Sequence, residues 1–209
     1  MTNSHSPIAL GLALALAGLA TPALAQSAGD WTLGVGVHQV NPKSGNGALA
    51  GGTLAVDVDS DIKPTITFEY FVRDNLGIEV LAALPFKHDI AIDGLGTVGS
   101  TKHLPPVVSL QYHFNGGGKV SPFVGAGINY TTFFSEDTQG ALAASKLKLD
   151  DSWGLAAHAG VDFAMGQRGA LRVDVRWADI DTKVELDGAG IGTVNIDPLV
   201  YGAAYVLKF

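Results

Sequence analysis

The feature that most constrains this chain is an alternation of apolar and polar side chains running from Asp30 to the last residue. Its period is two, the mark of strands that turn half of their side chains each way. In the first run Trp31, Leu33, Val35 and Val37 oppose Thr32, Gly34, Gly36 and His38. The third sets Leu76, Ile78, Val80, Ala82, Leu84 and Phe86 against Gly77, Glu79, Leu81, Ala83 and Pro85. Eight such runs occur, the others at residues 65–72, 106–114, 123–131, 153–163, 171–177 and 199–209. Each is roughly ten residues, the length a tilted strand needs to cross a bilayer. The connections alternate: residues 73–75, 115–119 and 165–170 are short, whereas 41–62, 88–102, 135–150 and 179–196 are long. Short turns on the periplasmic side and long loops outside are the outer-membrane arrangement.

The start of the chain points the same way. "SPIALGLALALAGLATPALA" is apolar and uncharged, too short for a secure membrane helix, and ends in small residues. Ala23-Leu24-Ala25 reads as a cleavage site. Residues 1–25 are therefore expected to be a cleaved signal peptide, and 26–209 the barrel domain. The leading "MTNSHS" lacks Lys and Arg, so an uncleaved anchor is the alternative. Beyond residue 25 no apolar run is long enough to span as a helix. That leaves a secreted soluble protein or a membrane barrel, since only helices and closed barrels satisfy the backbone within lipid. With no Cys there is no disulfide frame or thiolate chemistry. A net charge of −7 argues against nucleic acid.

A lipocalin-like soluble barrel has the same period with its apolar face inside. Three features favour the apolar face outside. The polar face carries most of the strand glycines, as a narrow lumen requires. The apolar-face aromatics fall at two levels, Trp153, Trp177, Tyr130, Tyr201 and Phe86 above and Trp31, Tyr70, Tyr112, Phe114, Phe163, Tyr205 and Phe209 below. Two such girdles mark the two membrane interfaces. The chain also ends "YVLKF", where Tyr205, Leu207 and Phe209 on one face form a candidate signal for the outer-membrane assembly machinery. The expected fold is an all-β, eight-stranded, antiparallel up-and-down transmembrane barrel in the bacterial outer membrane.

Five stretches, "LPPVVSLQYHF" (104–114), "SPFVGAGINYTTFF" (121–134), "DDSWGLAAHAGVDF" (150–163), "LRVDVRWADIDT" (171–182) and "NIDPLVYGAAYVLKF" (195–209), resemble the outer-membrane protein W family, which includes the AlkL-type hydrocarbon channels. The resemblance covers nearly all of the chain after residue 25 and is loose at 43–62 and 88–101. It implies an eight-stranded barrel that passively admits small hydrophobic molecules. It also implies a possible role as a bacteriocin or phage receptor, and it supplies no catalytic residues.

Placing inward residues by height gives the lumen two zones. Glu69, Glu79, Gln111, His113, His158, Asp162, Arg172, Asp174 and Lys208 gather low, as a network of paired charges expected to plug the periplasmic end. Leu81, Ala83, Pro85, Val107, Phe133, Ala156 and Val200 gather high, as an apolar path for solute. Pro85, Pro105 and Pro106 lie at similar heights on neighbouring strands. They cannot donate to the ladder, so a lateral seam there would let solute leave into the membrane. The alternative is that they merely end strands below a loop.

Other patterns carry less. Asp57, Asp59 and Asp61 lack the glycine and distal glutamate of a calcium loop, so no metal is expected. The histidines are scattered, and none in the strands faces lipid where a barrel hydrolase would need it. No cofactor and no enzymatic activity are expected. Lys63, Lys87, Lys102, Lys146, Lys148 and Lys183 near the outer rim could meet lipopolysaccharide phosphates or simply solvate the loops. The competing function is a structural or receptor barrel with a filled lumen. The solute itself is not named by the sequence.

Overall fold

The computed structural model describes residues 26–209, so the expected signal peptide lies outside the described residues. Fifteen strands follow in order: β1 (Trp31–Asn41), β2 (Ala48–Leu49), β3 (Leu54–Val58), β4 (Asp61–Arg73), β5 (Leu76–Ala83), β6 (Phe86–Ile92), β7 (Gly96–Leu104), β8 (Val107–His113), β9 (Val120–Thr138), β10 (Leu147–Leu149), β11 (Ser152–Met165), β12 (Gly169–Ala178), β13 (Asp181–Leu186), β14 (Ala189–Asn195) and β15 (Leu199–Lys208). A 3-10 turn (Gly140–Leu142) precedes β10.

Eight of these strands form a closed antiparallel ring, β1-β4-β5-β8-β9-β11-β12-β15, with β15 returning to β1. Closure removes the sheet edge that lipid could not satisfy. The registers at the two ends of the chain lock together, with Thr32 opposite Lys208 and Asn41 opposite Leu199. At the lower end the β4–β5 hairpin turns through Asp74 and Asn75 beside a bulge between Phe71 and Arg73, and Asn75 takes a positive φ of 63°, which Asn tolerates better than most residues.

The alternation sorts the faces as the sequence reading expects. Val35, Ile66, Val108, Leu110, Val124, Ile128, Val173 and Val175 are exposed on the outside, while Thr65, Thr67, Ser109, Gln111 and Asn129 are buried inside. Trp153, 70% exposed, stacks at a tilt on Tyr130, with ring centroids 4.6 Å apart, in the upper girdle. Trp31 and Phe209 stack at 4.2 Å in the lower one, joining the two chain ends across the β1–β15 seam. Tyr205 and Leu207 are exposed beside them.

Above the upper girdle the wall continues as a second storey. β7 pairs with the upper half of β9, β6 pairs with β7, and β3 pairs with β6. A separate sheet, β10-β13-β14, closes the other side. Residues 88–102 and 179–196 are therefore hairpins in large part rather than plain loops. Asp187-Gly188, with φ of 53° and 82°, makes the β13–β14 turn.

One assignment is corrected. Phe86 was expected on the outward face, but it is 2% exposed and packs against His88 and His103. The pairing sum explains it: Leu81 opposes Val107 in the lower ladder, whereas Phe86 opposes His103 in the upper one. One residue is gained across Leu84-Pro85, and a one-residue slip turns every later side chain to the other face.

The outward face predicts a depth-dependent penalty for charge. Val173→Arg, midway between the girdles, should cost about 2–4 kcal/mol in urea unfolding from lipid vesicles. A cost below ~0.5 kcal/mol would mean that Val173 does not contact lipid.

Candidate functional site in the barrel lumen

Inside the ring, tall polar side chains from facing strands meet across a bore with little free room. Glycines make that possible. A Cβ at Gly125 would collide with the His158 ring, and one at Gly202 with the ring of His38. Arg172 on β12 donates from Nε and Nη2 to Asp162 at 2.7 and 2.9 Å, and from Nη1 to Glu79 on β5 at 2.7 Å. Arg176, two inward positions higher on β12, donates from Nη1 to the other Glu79 oxygen at 2.7 Å and from Nε to Asp174 at 2.6 Å. Glu79 thus ties together two guanidiniums across the lumen. Glu69 takes Gln111 Nε2 at 2.8 Å and lies 3.0 Å from His113 Nε2, while His158 Nε2 reaches Gln111 Oε1 at 2.8 Å. Phe71 and Phe123 seal the apolar flanks of this layer, Phe123 under the Arg172 guanidinium at 4.4 Å.

Of the nine low-lumen residues picked from sequence, eight are buried in this network. Lys208 stands apart: its Nζ is 2.6 Å from Asp30 at the periplasmic rim. Arg176 and His38 complete the network but were not among the nine. His38 bonds Thr65 at 2.6 Å and lies 3.3 Å from Asp174. Their inward phase was legible, but their height was not. Below the network is a separate pocket lined by Thr32, Ser121, Arg168 and Ala170 among others.

Above the network lie two apolar cavities. The lower, about 520 Å³ with its opening to solvent included, is floored by His38, His158 and Arg176 and walled by Val40, Leu81, Val107, Ala156, Ala178 and Val200. The upper, about 830 Å³ on the same measure, is lined by Leu49, Ile90, Val98, Leu147, Val184 and Ile196 from the second storey. Phe133 lines the upper cavity rather than the lower. Ala83 and Pro85 are half-buried and line neither, because the chain slips phase there and Phe86 takes the inward place.

Successive inward residues of β6 and β7 divide the two cavities. Phe86 and His103 belong to the lower, His88 and Thr101 to the upper. His88 Nε2 and His103 Nε2 are 2.9 Å apart. His88 Nδ1 is 2.6 Å from the Asp59 carbonyl oxygen and must donate to it. With both rings neutral, His88 Nε2 then accepts from His103 Nε2–H, which leaves His103 Nδ1 a buried lone pair with no partner. Burial, followed by the neighbouring His88, pushes the His103 imidazole down to about 3. Burial also lowers His88, against the smaller pull of Asp59 and Asp61; Lys63 adds to the lowering.

The ladder between neighbouring strands is broken at this height. It stops at Leu81–Val107 and resumes at Phe86–His103, so residues 82–85 and 104–106 face one another unpaired. The flanks hold: Leu84 N donates to Pro64 O, and Tyr130 N to Pro106 O. Pro105 itself lines the lower cavity. The acidic run resolves as structure, with Asp59 and Asp61 accepting the backbone amides of Asp89 and Lys87. Asp179, Asp181 and Asp197 converge in the outer loops, where Lys43 bonds Asp197 at 2.7 Å.

The OmpW family profile matches residues 27–209. The chain belongs to the OmpW family. Outer membrane protein W of Vibrio cholerae is 37% identical over 95% of this chain and 97% of its own length. Outer membrane protein AlkL of Ectopseudomonas oleovorans is 31% identical over 85% and 82%. Among solved structures, outer membrane protein OprG from Pseudomonas aeruginosa superposes with a TM-score of 0.79 at 34% identity, covering 90% of this chain and 99% of that one. This OmpW-family protein is an outer-membrane β-barrel, as the sequence reading expects.

Two outcomes follow from the site's electrostatics. Glu79→Leu leaves two buried guanidiniums short of a partner and should lower unfolding stability by about 3–5 kcal/mol in urea titrations from vesicles. A near-neutral result would mean that the lumen is wet enough to replace Glu79. For the histidines, both folded values lie below the ordinary 6.5, so the opened form takes up protons that the closed form refuses. Stability of the β6–β7 storey should therefore fall as pH drops from 6.5 toward 3. The protection factors of its amides, corrected for the slower intrinsic exchange in acid, should fall at about pH 4.5 relative to pH 7, and His103→Phe should remove most of that difference.

Proposed function

We propose that this barrel is a passive route by which small hydrophobic molecules enter the outer membrane from outside. The observation that carries the reading is the stacking of two apolar cavities over a bonded polar layer. An apolar solute gains by leaving water for the cavity walls, at roughly 25 cal/mol per Å² of buried surface. It gains nothing by continuing down, where every step would part charged pairs in a low dielectric. The polar layer acts as a plug toward the periplasm, and the sideways path is the easier one.

The unpaired stretch between residues 82–85 and 104–106 supplies that path. Opening a wall normally breaks ladder hydrogen bonds facing lipid, each at several kcal/mol. Here Pro85, Pro105 and Pro106 have no N–H to lose. The opening lies beside a cavity wall, so solute would move from bore to acyl chains without meeting water. Resemblance to the OmpW family supports the same class of solute.

A deletion strain and its complement should differ in uptake of an alkane such as n-octane and not of a small polar solute such as glycerol. Pro85→Val with Pro105→Val, which restore donors to the ladder, should slow alkane uptake several-fold while the barrel still folds. Unchanged uptake in that variant would discard the lateral route, and equal uptake in deletion and complement would discard transport.

A further inference from the structure

Two residues that line the lower cavity each carry a buried polar atom that the network leaves over. Arg176 is 6% exposed and lines the floor; its Nε and Nη1 are bonded, but its Nη2 has no partner. His103 is 1% exposed and borders the same cavity; its Nδ1 has none either. Everything else around them is apolar apart from His38, Thr65, Asn129 and His158, of which His38 is bonded to Thr65, Asn129 to the Pro106 carbonyl and His158 to Gln111. A buried donor without an acceptor costs a desolvation penalty that a ligand's polar group can recover.

We infer that the lower cavity is a binding site for neutral amphipathic molecules, an apolar chain bearing a single hydroxyl or carbonyl, held with the oxygen on Arg176 Nη2. This rests on the proposed passage of apolar solutes and names the class within it that the site retains. The chain lies against Leu81, Val107, Ala156 and Val200. Charge decides between a neutral and an anionic head. The layer beneath holds four carboxylates, Glu69, Glu79, Asp162 and Asp174, against two guanidiniums, Arg172 and Arg176. A carboxylate head would add a fifth anion to that group, whereas a hydroxyl or carbonyl oxygen accepts from Nη2 without adding charge. An alkane of the same length fills the walls but leaves Nη2 unserved.

Fluorine NMR of CF3-tipped octanol, octane and octanoate, with the full barrel in lipid nanodiscs and empty nanodiscs subtracted, tests this. The alcohol should bind about tenfold or more tightly than the alkane, the gain expected for one bond to a buried charged donor. It should also bind more tightly than the carboxylate. Arg176→Lys, which keeps the charge but lacks the second Nη, should bring alcohol and alkane within about twofold. Ala156→Phe, which fills the cavity and leaves the polar layer intact, should abolish the bound signal in barrel that still runs as folded on an unheated gel. Equal binding of alcohol and alkane would mean that water serves Nη2, and preference for octanoate would mean that the charge argument is wrong. Bound signal persisting in Ala156→Phe would put the site elsewhere; each of these overturns the inference. If cells take up n-octane through the barrel while alcohol and alkane bind alike, the passage reading survives and this one alone fails.

Discussion

Arg172 and Arg176 hold the lumen together by sharing Glu79 across it. Two guanidiniums two inward positions apart on β12, with Asp174 between them, would repel and lose hydration if left alone in a bore this narrow. Glu79 from β5 answers both, and Asp162 and Asp174 answer the remaining Nε donors. The cost of breaking any member keeps the set intact. The other features follow from that layer. Strand glycines stand where the rings of His38 and His158 need space. The apolar residues above it line the two cavities, and the proposed plug toward the periplasm rests on this layer.

The outer wall obeys a separate constraint. A closed ring satisfies its own backbone, so the lipid face can be wholly greasy between two aromatic levels. Apart from a bulge between Phe71 and Arg73 near the lower end, the ring departs from this rule among the described residues at Leu84-Pro85 and Leu104-Pro105-Pro106, where the ladder lapses and the side-chain phase slips by one. The lapse lies beside a cavity and level with Tyr130 of the upper girdle, and it is the weak place that the proposed lateral route uses. Its flanks are pinned by Leu84 and Tyr130, so the weakness is local.

Much of this was legible in the residues. Period two, strand length and the alternation of short and long connections gave eight strands, and the glycines and aromatics oriented them. Inward phase put Glu69, Glu79, Asp162, Arg172 and Asp174 on the bore side, and the structure has them bonded to one another or through Gln111 and Arg176. Periodicity did not show height finely enough to seat Arg176 and His38 in the same layer, nor to keep Lys208 out of it at the rim with Asp30. Phe86 was misplaced because a phase slip at a proline leaves no mark in an alternating pattern that resumes at once. The upper storey went unread although its signals were present: Asp187-Gly188 is a strong hairpin dipeptide, and "FKHDIAI" alternates. The His88–His103 pair had no local signature at all, since fifteen residues and a hairpin separate its members.

We propose that the guanidinium of Arg172 and the Nε edge of Arg176 are reached by neither lipid nor bulk water, with only Arg176 Nη2 left toward the cavity. Their Nε–H groups, bonded to Asp162 and Asp174, report on this directly. In NMR spectra of the barrel in nanodiscs, both Nε–H signals should persist unbroadened when a nitroxide-tagged lipid is added, and again when a water-soluble gadolinium chelate is added. Broadening by the lipid probe would mean that the charges face outward, and broadening by the chelate would mean an open aqueous pore; either would contradict the account.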